Sequence, residues 1–197
     1  MTRVRPILTI GHSRHSWDRF AALLAAAGVE AVTDIRSMPR SRFSPHFNKT
    51  ELAGRLSARN IGYLFLGKEL GGRPQDPDVY TDGVADYEKM AASPEFRRGL
   101  ARLQDEGAQR SLAVMCSEAD PLECHRFLLV GRALAGAGID VAHILPTGDS
   151  ISHEQAEDRL LDLEHLAEEG LLLRSRDERL KQAYKARSRK FAYAQAQ

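Results

Sequence analysis

Cysteine is scarce in this sequence: among 197 residues only Cys116 and Cys124 occur. Two thiols so close together exclude a secreted disulfide framework and make a reducing, cytoplasmic compartment the expectation. Long hydrophobic runs are missing as well. No stretch approaches the roughly 20 apolar residues that cross a bilayer, so no membrane partner is expected. The N-terminal Arg3 and Arg5 precede an interrupted apolar run, Ile7-Leu8-Thr9-Ile10, that stops at Gly11, and no signal peptide is read from it. Several catalytic and cofactor motifs are absent too. The chain has no Walker A loop, no Gly-x-Gly-x-x-Gly, no Gly-x-Ser-x-Gly and no His-Glu-x-x-His. His153-Glu154 lacks the second histidine, and neither cysteine has an arginine six positions on. No cofactor is assigned by these absences, and no repeat of 20 to 50 residues or low-complexity tract occurs.

A marked net charge is also lacking, at +1 overall. That near-neutrality is a cancellation. Residues 1–73 carry 12 Lys and Arg against 5 acids, a net +7; residues 74–173 carry 8 against 20, a net −12; residues 174–197 carry 8 against 2, a net +6. Segmental charge bears on partners more directly than the total, and two positive segments keep nucleic acid and anionic small molecules open as partners. Oligomeric state is not legible.

What is present is an ordinary globular composition, 43% hydrophobic and 28% charged, in a chain long enough for one full-sized domain plus an appendage. Short β-rich runs alternate with helical periods, the pattern of βαβ units and a parallel sheet. Strands are expected at Ile7 to Ile10, Ala31 to Ile35, Tyr63 to Leu66, Leu112 to Cys116 and Val141 to Leu145. Helices are expected from Ser16 to Gly28, from Lys49 to Arg59 with Leu52 and Leu56 inward, from Tyr87 to Glu106 with a break near Ser93-Pro94, and from Pro121 to Gly136. Gly67 to Asp86, rich in glycine and proline, reads as a long functional loop. The expected fold is therefore α/β: a single domain over residues 1–150 with a mainly parallel five-stranded sheet flanked by helices, plus a C-terminal helical extension over 151–197. In that extension His153 to Glu169 is acidic with Leu160, Leu163 and Leu166 as an apolar stripe. Arg174 to Lys190 is basic and reads as a solvated helix or a loose tail.

Open α/β sheets bind ligands beyond the carboxyl ends of their strands. Those ends carry Gly11-His12-Ser13-Arg14, Asp34-Ile35-Arg36, Gly67 with Gly71-Gly72-Arg73 behind it, and Cys116-Ser117-Glu118. Any such loop is polar in any α/β protein, but four together at one edge are harder to assign to solvation alone. The loop after the second strand adds Pro39-Arg40-Ser41-Arg42-Phe43; arginine forks match phosphate, and a phenylalanine can stack on a base, although a solvated basic loop has the same composition. His12 reads either as a catalytic or phosphate-contacting group or as a structural hydrogen-bonder, and His143 as a satisfied core histidine.

The densest run is Cys116-Ser-Glu118-Ala-Asp120-Pro121-Leu-Glu123-Cys124-His125-Arg126. Asp120 at the N-cap, Pro121 at the first position and Glu123 at the third predict a capping box, with Cys124 at the end of the first helical turn. Three readings stay open. One cysteine is a nucleophile or redox thiol, with a histidine as base and arginines on an anionic substrate. Alternatively Cys116, Cys124 and a histidine bind a metal, although the spacing lacks the paired Cys-x2-Cys of common zinc modules. Or the cysteines are small core hydrophobes beside a capped helix.

Taken in order, Thr9-Ile-Gly-His-Ser13, Asp34-Ile-Arg-Ser-Met-Pro39 with Ser41-Arg42 and Phe47, Leu70-Gly-Gly-Arg73, and Cys116-x-Glu-x-x-Pro-x-x-Cys-His-Arg126 with His143-Ile144 resemble the domain-of-unknown-function 488 family over about Ile7 to Pro146. The resemblance implies a single α/β domain with an unassigned activity. It groups His12, Asp34, Arg36, Arg42, Arg73, Cys116, Glu118, Cys124, His125 and Arg126 as one site. The expectation is an enzyme acting on an anionic, phosphate-containing substrate. In it His12, Asp34, Cys116, Glu118, Cys124 and His125 are catalytic candidates, and Ser13, Arg36, Arg42, Arg73 and Arg126 are substrate-binding candidates. A non-catalytic nucleic-acid-binding module is the competing expectation.

Overall fold

The computed structural model describes residues 5–167 and 175–195. Five strands, β1 (Ile7–Gly11), β2 (Ala31–Asp34), β3 (Gly62–Phe65), β6 (Leu112–Cys116) and β7 (Val141–Ile144), pair in parallel, and β8 (Ser150–Ser152) adds an antiparallel edge, in the order β3-β2-β6-β1-β7-β8. The mainly parallel sheet is as expected, with six strands where the sequence reading had five. The sixth was missed because Ser150–Ser152 is a three-residue edge with no apolar run.

Every residue of β2 and β6 is buried, as strands covered on both faces must be. On one face lie α1 (Trp17–Ala26) and α2 (Lys49–Ser57), whose Phe20, Leu24, Leu52 and Leu56 pack on Ile10, Val32 and Met115. Ser16 caps α1 by accepting the Arg19 N–H, and Gly28 leaves it at φ +63°. On the other face lie α3 (Tyr87–Ala92), α4 (Pro94–Gln109) and the segment after β6. Ser93 separates α3 from α4 and caps the latter, which is the break expected at Ser93-Pro94.

The extension contributes α6 (His153–Leu163) and α7 (Arg176–Phe191), each opened by a complete capping box. Leu160, Leu161, Leu180, Ala183 and Tyr184 join the same core cluster as Val114 and Phe127. The expected stripe is corrected at Leu163, which is 47% exposed; Leu161 takes its place. The basic stretch is neither solvated throughout nor loose: Arg179 and Arg187 are buried, and Arg176 pairs with Glu157 and Asp158. Arg3, Glu168, Glu169 and Arg174 lie outside the described residues.

Two local expectations are also corrected. The segment Gly67 to Asp86 contains a hairpin, β4 (Tyr80–Thr81) with β5 (Val84–Ala85), turned at Asp82 and Gly83, both at positive φ. Asp-Gly was the available signal for that turn. And Pro121 to Gly136 is not one helix. A 3-10 turn, Pro121–Glu123, is capped by Asp120 at Leu122 N; Cys124 is extended at φ −138°, ψ 142°; a π-helix, Arg126–Gly131, then leads into α5 (Arg132–Gly136). No capping box forms at Glu123. The extended backbone at Cys124 lets its sulfur face Cys116 and accept the Arg126 N–H at 3.4 Å, a placement that a continuous helix would turn aside.

Candidate functional site

The chain leaves β1 toward β2 and leaves β6 toward β7, so these adjacent strands form the switch point of the sheet, where a crevice opens. The register sets Gly11 beside Cys116 and Asp34 beside Met115, bringing three strand ends level. The loops lock there: His12 N donates to Cys116 O, and Ser13 N to Ser117 O. Only glycine fits at position 11, because a Cβ would lie 1.9 Å from the Glu118 carbonyl oxygen.

A cavity of about 380 Å³ has Cys116, Cys124, His125 and Glu118 among its lining, with Arg40 and Arg73 beside them. Both sulfurs are buried, yet both reach one carboxyl oxygen: Glu118 Oε2 is 3.1 Å from Cys116 Sγ and 3.0 Å from Cys124 Sγ. Glu118 as a residue is exposed; only its carboxyl end turns onto the thiols. His125 presents Nδ1 to the same sulfurs at 3.7 and 3.9 Å, and its Nε2 lies 3.2 Å from the Ile35 carbonyl, to which it donates. Gly72 lies against the flat of that ring, and a Cβ there would come within 2.9 Å of Nδ1.

Electrostatics divide the two thiols. Burial pushes Cys116 well above the ordinary thiol range, and the charge of Cys124 and then of Glu118 push it further. Burial would raise Cys124 too, but the hydrogen bond from Cys116 and the charges of Arg126 and His125 outweigh it and bring Cys124 well below that range. The surroundings thus favour the ionised form at Cys124 over Cys116. The Glu118 carboxyl pKa is raised, first by burial and then by the Cys124 charge. For His125 burial acts to lower the pKa, but Cys124 prevails and the value is raised.

The other candidates fall into two groups. His12, Asp34 and Arg36 form a closed, buried cluster. Arg36 grips Asp34 through Nε (2.9 Å) and Nη2 (2.7 Å), Nη2 also donates to Phe47 O at 2.7 Å, and Nη1 meets His12 Nε2 at 3.1 Å. Tyr63 adds its hydroxyl to Asp34. Burial, followed by the Arg36 charge, lowers His12 to about 4, so it is a neutral acceptor for Arg36, stacked on Phe47. His12 thus makes structural hydrogen bonds in this cluster and also borders a second cavity. Asp34 borders neither this cavity nor the second one, of about 330 Å³, that shares Arg36, Arg40 and Glu118 and is lined by His12 and Ser13.

Arg42 and Arg126 are not brought to either cavity. Arg42 lies exposed over the Phe43 ring. Arg126 is fully buried and donates to the carbonyls of Glu118 and Ala119, so it braces the loop that carries Glu118. Sequence reasoning missed Arg40 and the aromatic wall of Tyr87 and Tyr193. Arg40 had a signal, its place in the arginine loop. Tyr193 had none, since it lies 67 residues beyond Arg126 in sequence.

Fold and site together define a doubly wound α/β protein with a paired-thiol, arginine-rimmed cleft at its switch point. The sequence model of the family described as "Domain of unknown function DUF488" matches residues 16–133, and the chain belongs to that family. His12, Ser13 and Tyr193 lie outside the matched span. Comparison with curated proteins found no match. Comparison with solved structures found none either. No described helix is long and apolar enough to cross a membrane.

Proposed function

We propose that this protein is an enzyme acting on an anionic, phosphate-containing substrate, a nucleotide or nucleic acid, in the cleft between the ends of β1, β2 and β6. The observation that carries this reading is the composition of one cavity: two thiols, an imidazole and a carboxyl group at its floor, with Arg40 and Arg73 at its rim. Arg40 is exposed, and among the described residues its side chain makes no ion pair or hydrogen bond, so its donors are available to a ligand. Arg36 borders the same cavity but is mostly engaged by Asp34, Phe47 and His12, with one Nη1 hydrogen left over. Glu118 and His125 are the groups able to move protons; Cys124 is the reacting thiolate. Two unpaired, buried thiols accord with a reducing, cytoplasmic setting.

The test is calorimetric titration of the full chain with pyrophosphate, a nucleoside diphosphate and a short single-stranded oligonucleotide. Arg40→Ala and Arg73→Ala should each weaken binding by about tenfold or more, the value of one charge-assisted hydrogen bond, with little change in melting temperature. Wild-type protein that binds none of the three probes would overturn the reading.

A second reading, a non-catalytic nucleic-acid-binding module, draws on Phe43, which is 82% exposed beside Arg42 and near the 69% exposed Met38. The engagement of Arg176, Arg179 and Arg187 by acidic side chains and carbonyl oxygens counts against the basic tail as its footprint. Oligonucleotide affinity that falls by powers of ten between about 50 and 200 mM salt and is unchanged by Cys124→Ser would favour this module over the enzyme.

A further inference from the structure

The geometry points to a metal site at the floor of the cleft, formed by Cys116 Sγ, Cys124 Sγ and His125 Nδ1, with the fourth position facing the cleft beside Glu118, suited to a borderline-soft divalent ion such as Zn2+. The inference deepens the reading above by naming a cofactor for the same cleft, and it rests on that reading only for the anion that the ion would meet.

Three independent features carry it. The first is convergence. The donor atoms of Cys116, Cys124 and His125 lie within 4.8 Å of one another, although they come from a strand end and from a break between two helical segments. Their sulfur to nitrogen separations are 3.7 and 3.9 Å. A tetrahedral ion with Zn–S of about 2.3 Å and Zn–N of about 2.0–2.1 Å sets that edge at about 3.6 Å, so the three donors stand near the corners of such a tetrahedron.

The second feature is the orientation of the imidazole. His125 Nε2–H is committed to the Ile35 carbonyl at 3.2 Å, which assigns the Nδ1 lone pair to the sulfurs. A backbone carbonyl on the far nitrogen is the usual outer support of a metal-bound histidine, fixing both ring rotation and tautomer. Gly72 packs against the ring, so close that a Cβ there would come within 2.9 Å of Nδ1.

The third feature is the fourth corner. Glu118 Oε2 contacts both sulfurs at 3.1 and 3.0 Å but stands beside the three-donor group rather than within it, so the fourth corner is left to an exchangeable ligand from the cleft. Glu118 also borders both cavities, and its loop is braced by Arg126. Two cysteine sulfurs and an imidazole, all buried, with a fourth position open toward the cleft, make the arrangement of a reactive metal site rather than of a closed structural one. The missing Cys-x2-Cys spacing is no obstacle, because the extended residue Cys124 does by backbone conformation what close sequence spacing does elsewhere.

The test uses full-length protein treated with chelator and titrated with Co2+, then with Zn2+. One Co2+ per chain is expected, with a sulfur-to-cobalt charge-transfer band and tetrahedral visible bands that Zn2+ abolishes. Cys116→Ser and Cys124→Ser should each lower Co2+ affinity more than about a hundredfold, beyond the effect of losing an outer partner. Wild-type protein that develops no charge-transfer band overturns the inference whatever the variants do. So does Co2+ binding that survives Cys124→Ser unchanged. Pyrophosphate titration of both the metal-free and the Zn2+-loaded protein separates the two readings: pyrophosphate binding without Co2+ uptake removes the ion and leaves the anion site, and Co2+ uptake with no pyrophosphate binding to either sample upholds the ion and removes the anion site.

Discussion

The Arg73 guanidinium lies over the Tyr193 ring at 5.0 Å, so the end of the described chain forms one wall of a cleft otherwise built from the first 126 residues. The contact is held by backbone pairing. Ala85 N donates to Tyr193 O, Gln195 N donates to Gly83 O, and Ala194 bridges Val84, so the tail adds an edge to the β4–β5 hairpin. Tyr193→Ala removes a cation–π contact worth about 0.5–1 kcal/mol at an exposed site and frees Arg73. Pyrophosphate affinity should fall two- to fivefold by calorimetry, while the melting temperature drops by no more than about 2–4 °C. Unchanged affinity would show that the tail is a bystander.

Asp34 and Arg36 form a bidentate pair with almost no solvent contact. Removing one partner of a buried pair strands the other charge, at a cost of about 3–5 kcal/mol. Asp34→Asn should therefore lower the melting temperature by roughly 10 °C, at 2–4 °C per kcal/mol in a chain of this size, and should loosen His12 as well. The check is a urea or thermal unfolding curve. An undiminished midpoint together with lost ligand binding would instead make Asp34 a direct contact of the ligand.

Away from the cleft, a buried relay runs from Thr9 Oγ1 to His143 Nδ1 at 2.8 Å, from His143 Nε2 to His153 Nδ1 at 3.1 Å, and from His153 Nε2 to the Tyr184 hydroxyl at 3.0 Å. Burial lowers His153 to about 4, and burial with the neighbouring His153 lowers His143 as well. The Glu157 carboxylate 3.8 Å away does not offset that burial, so His153 is neutral in the folded protein. Unfolded chains take up this proton below about 6.5, whereas the folded protein resists until about 4. Stability is then complete above 6.5 and is lost as the pH falls from 6.5 toward 4, by about 3 kcal/mol for His153 alone. Urea unfolding of wild type and His153→Gln across that window should show a steeper acid loss in wild type; parallel curves would contradict it.

Gly72 and Gly54 offer a matched contrast. Gly72→Ala drives a Cβ into the His125 ring and should destabilise by about 1–3 kcal/mol, as overpacking does. Gly54 lies in α2 with nothing within 4 Å of a Cβ, so Gly54→Ala should stabilise by about 0.4–1 kcal/mol. Opposite shifts in urea midpoint are the expected result, and two shifts of the same sign would refute the packing assigned to His125.

Much of the architecture was legible because its signals are local. Ser16, Ser93 and Gly28 mark helix ends through their own backbone chemistry, and β-rich runs such as Leu112 to Cys116 declare buried strands. The placement of polar residues at strand ends also pointed to one sheet edge. The π-helix after Cys124 was not legible, since Asp120-Pro121 predicts a helix start whether or not the helix continues. The β4–β5 hairpin was passed over despite Asp82-Gly83, because two-residue strands carry no periodicity. Arg42 and Arg126 matched the pattern of ligand-binding arginines, and nothing in residue type tells whether a guanidinium meets a ligand, solvent or a carbonyl oxygen.

The sequence by itself determined an α/β chain with a mainly parallel sheet, membership in its family, and the short list of thiol, imidazole, carboxyl and arginine side chains at the strand ends. All of these follow from residue type, order and short-range spacing. Only the tertiary structure decided that Glu118 touches both sulfurs, that His125 turns Nδ1 inward, that Arg36 is held by Asp34, and that Tyr193 closes the cleft. Those relations join residues brought together by strand register and by one extended residue at Cys124. Side-chain direction is set by what packs behind each residue, and that depends on the closure of the whole chain rather than on any local run of sequence.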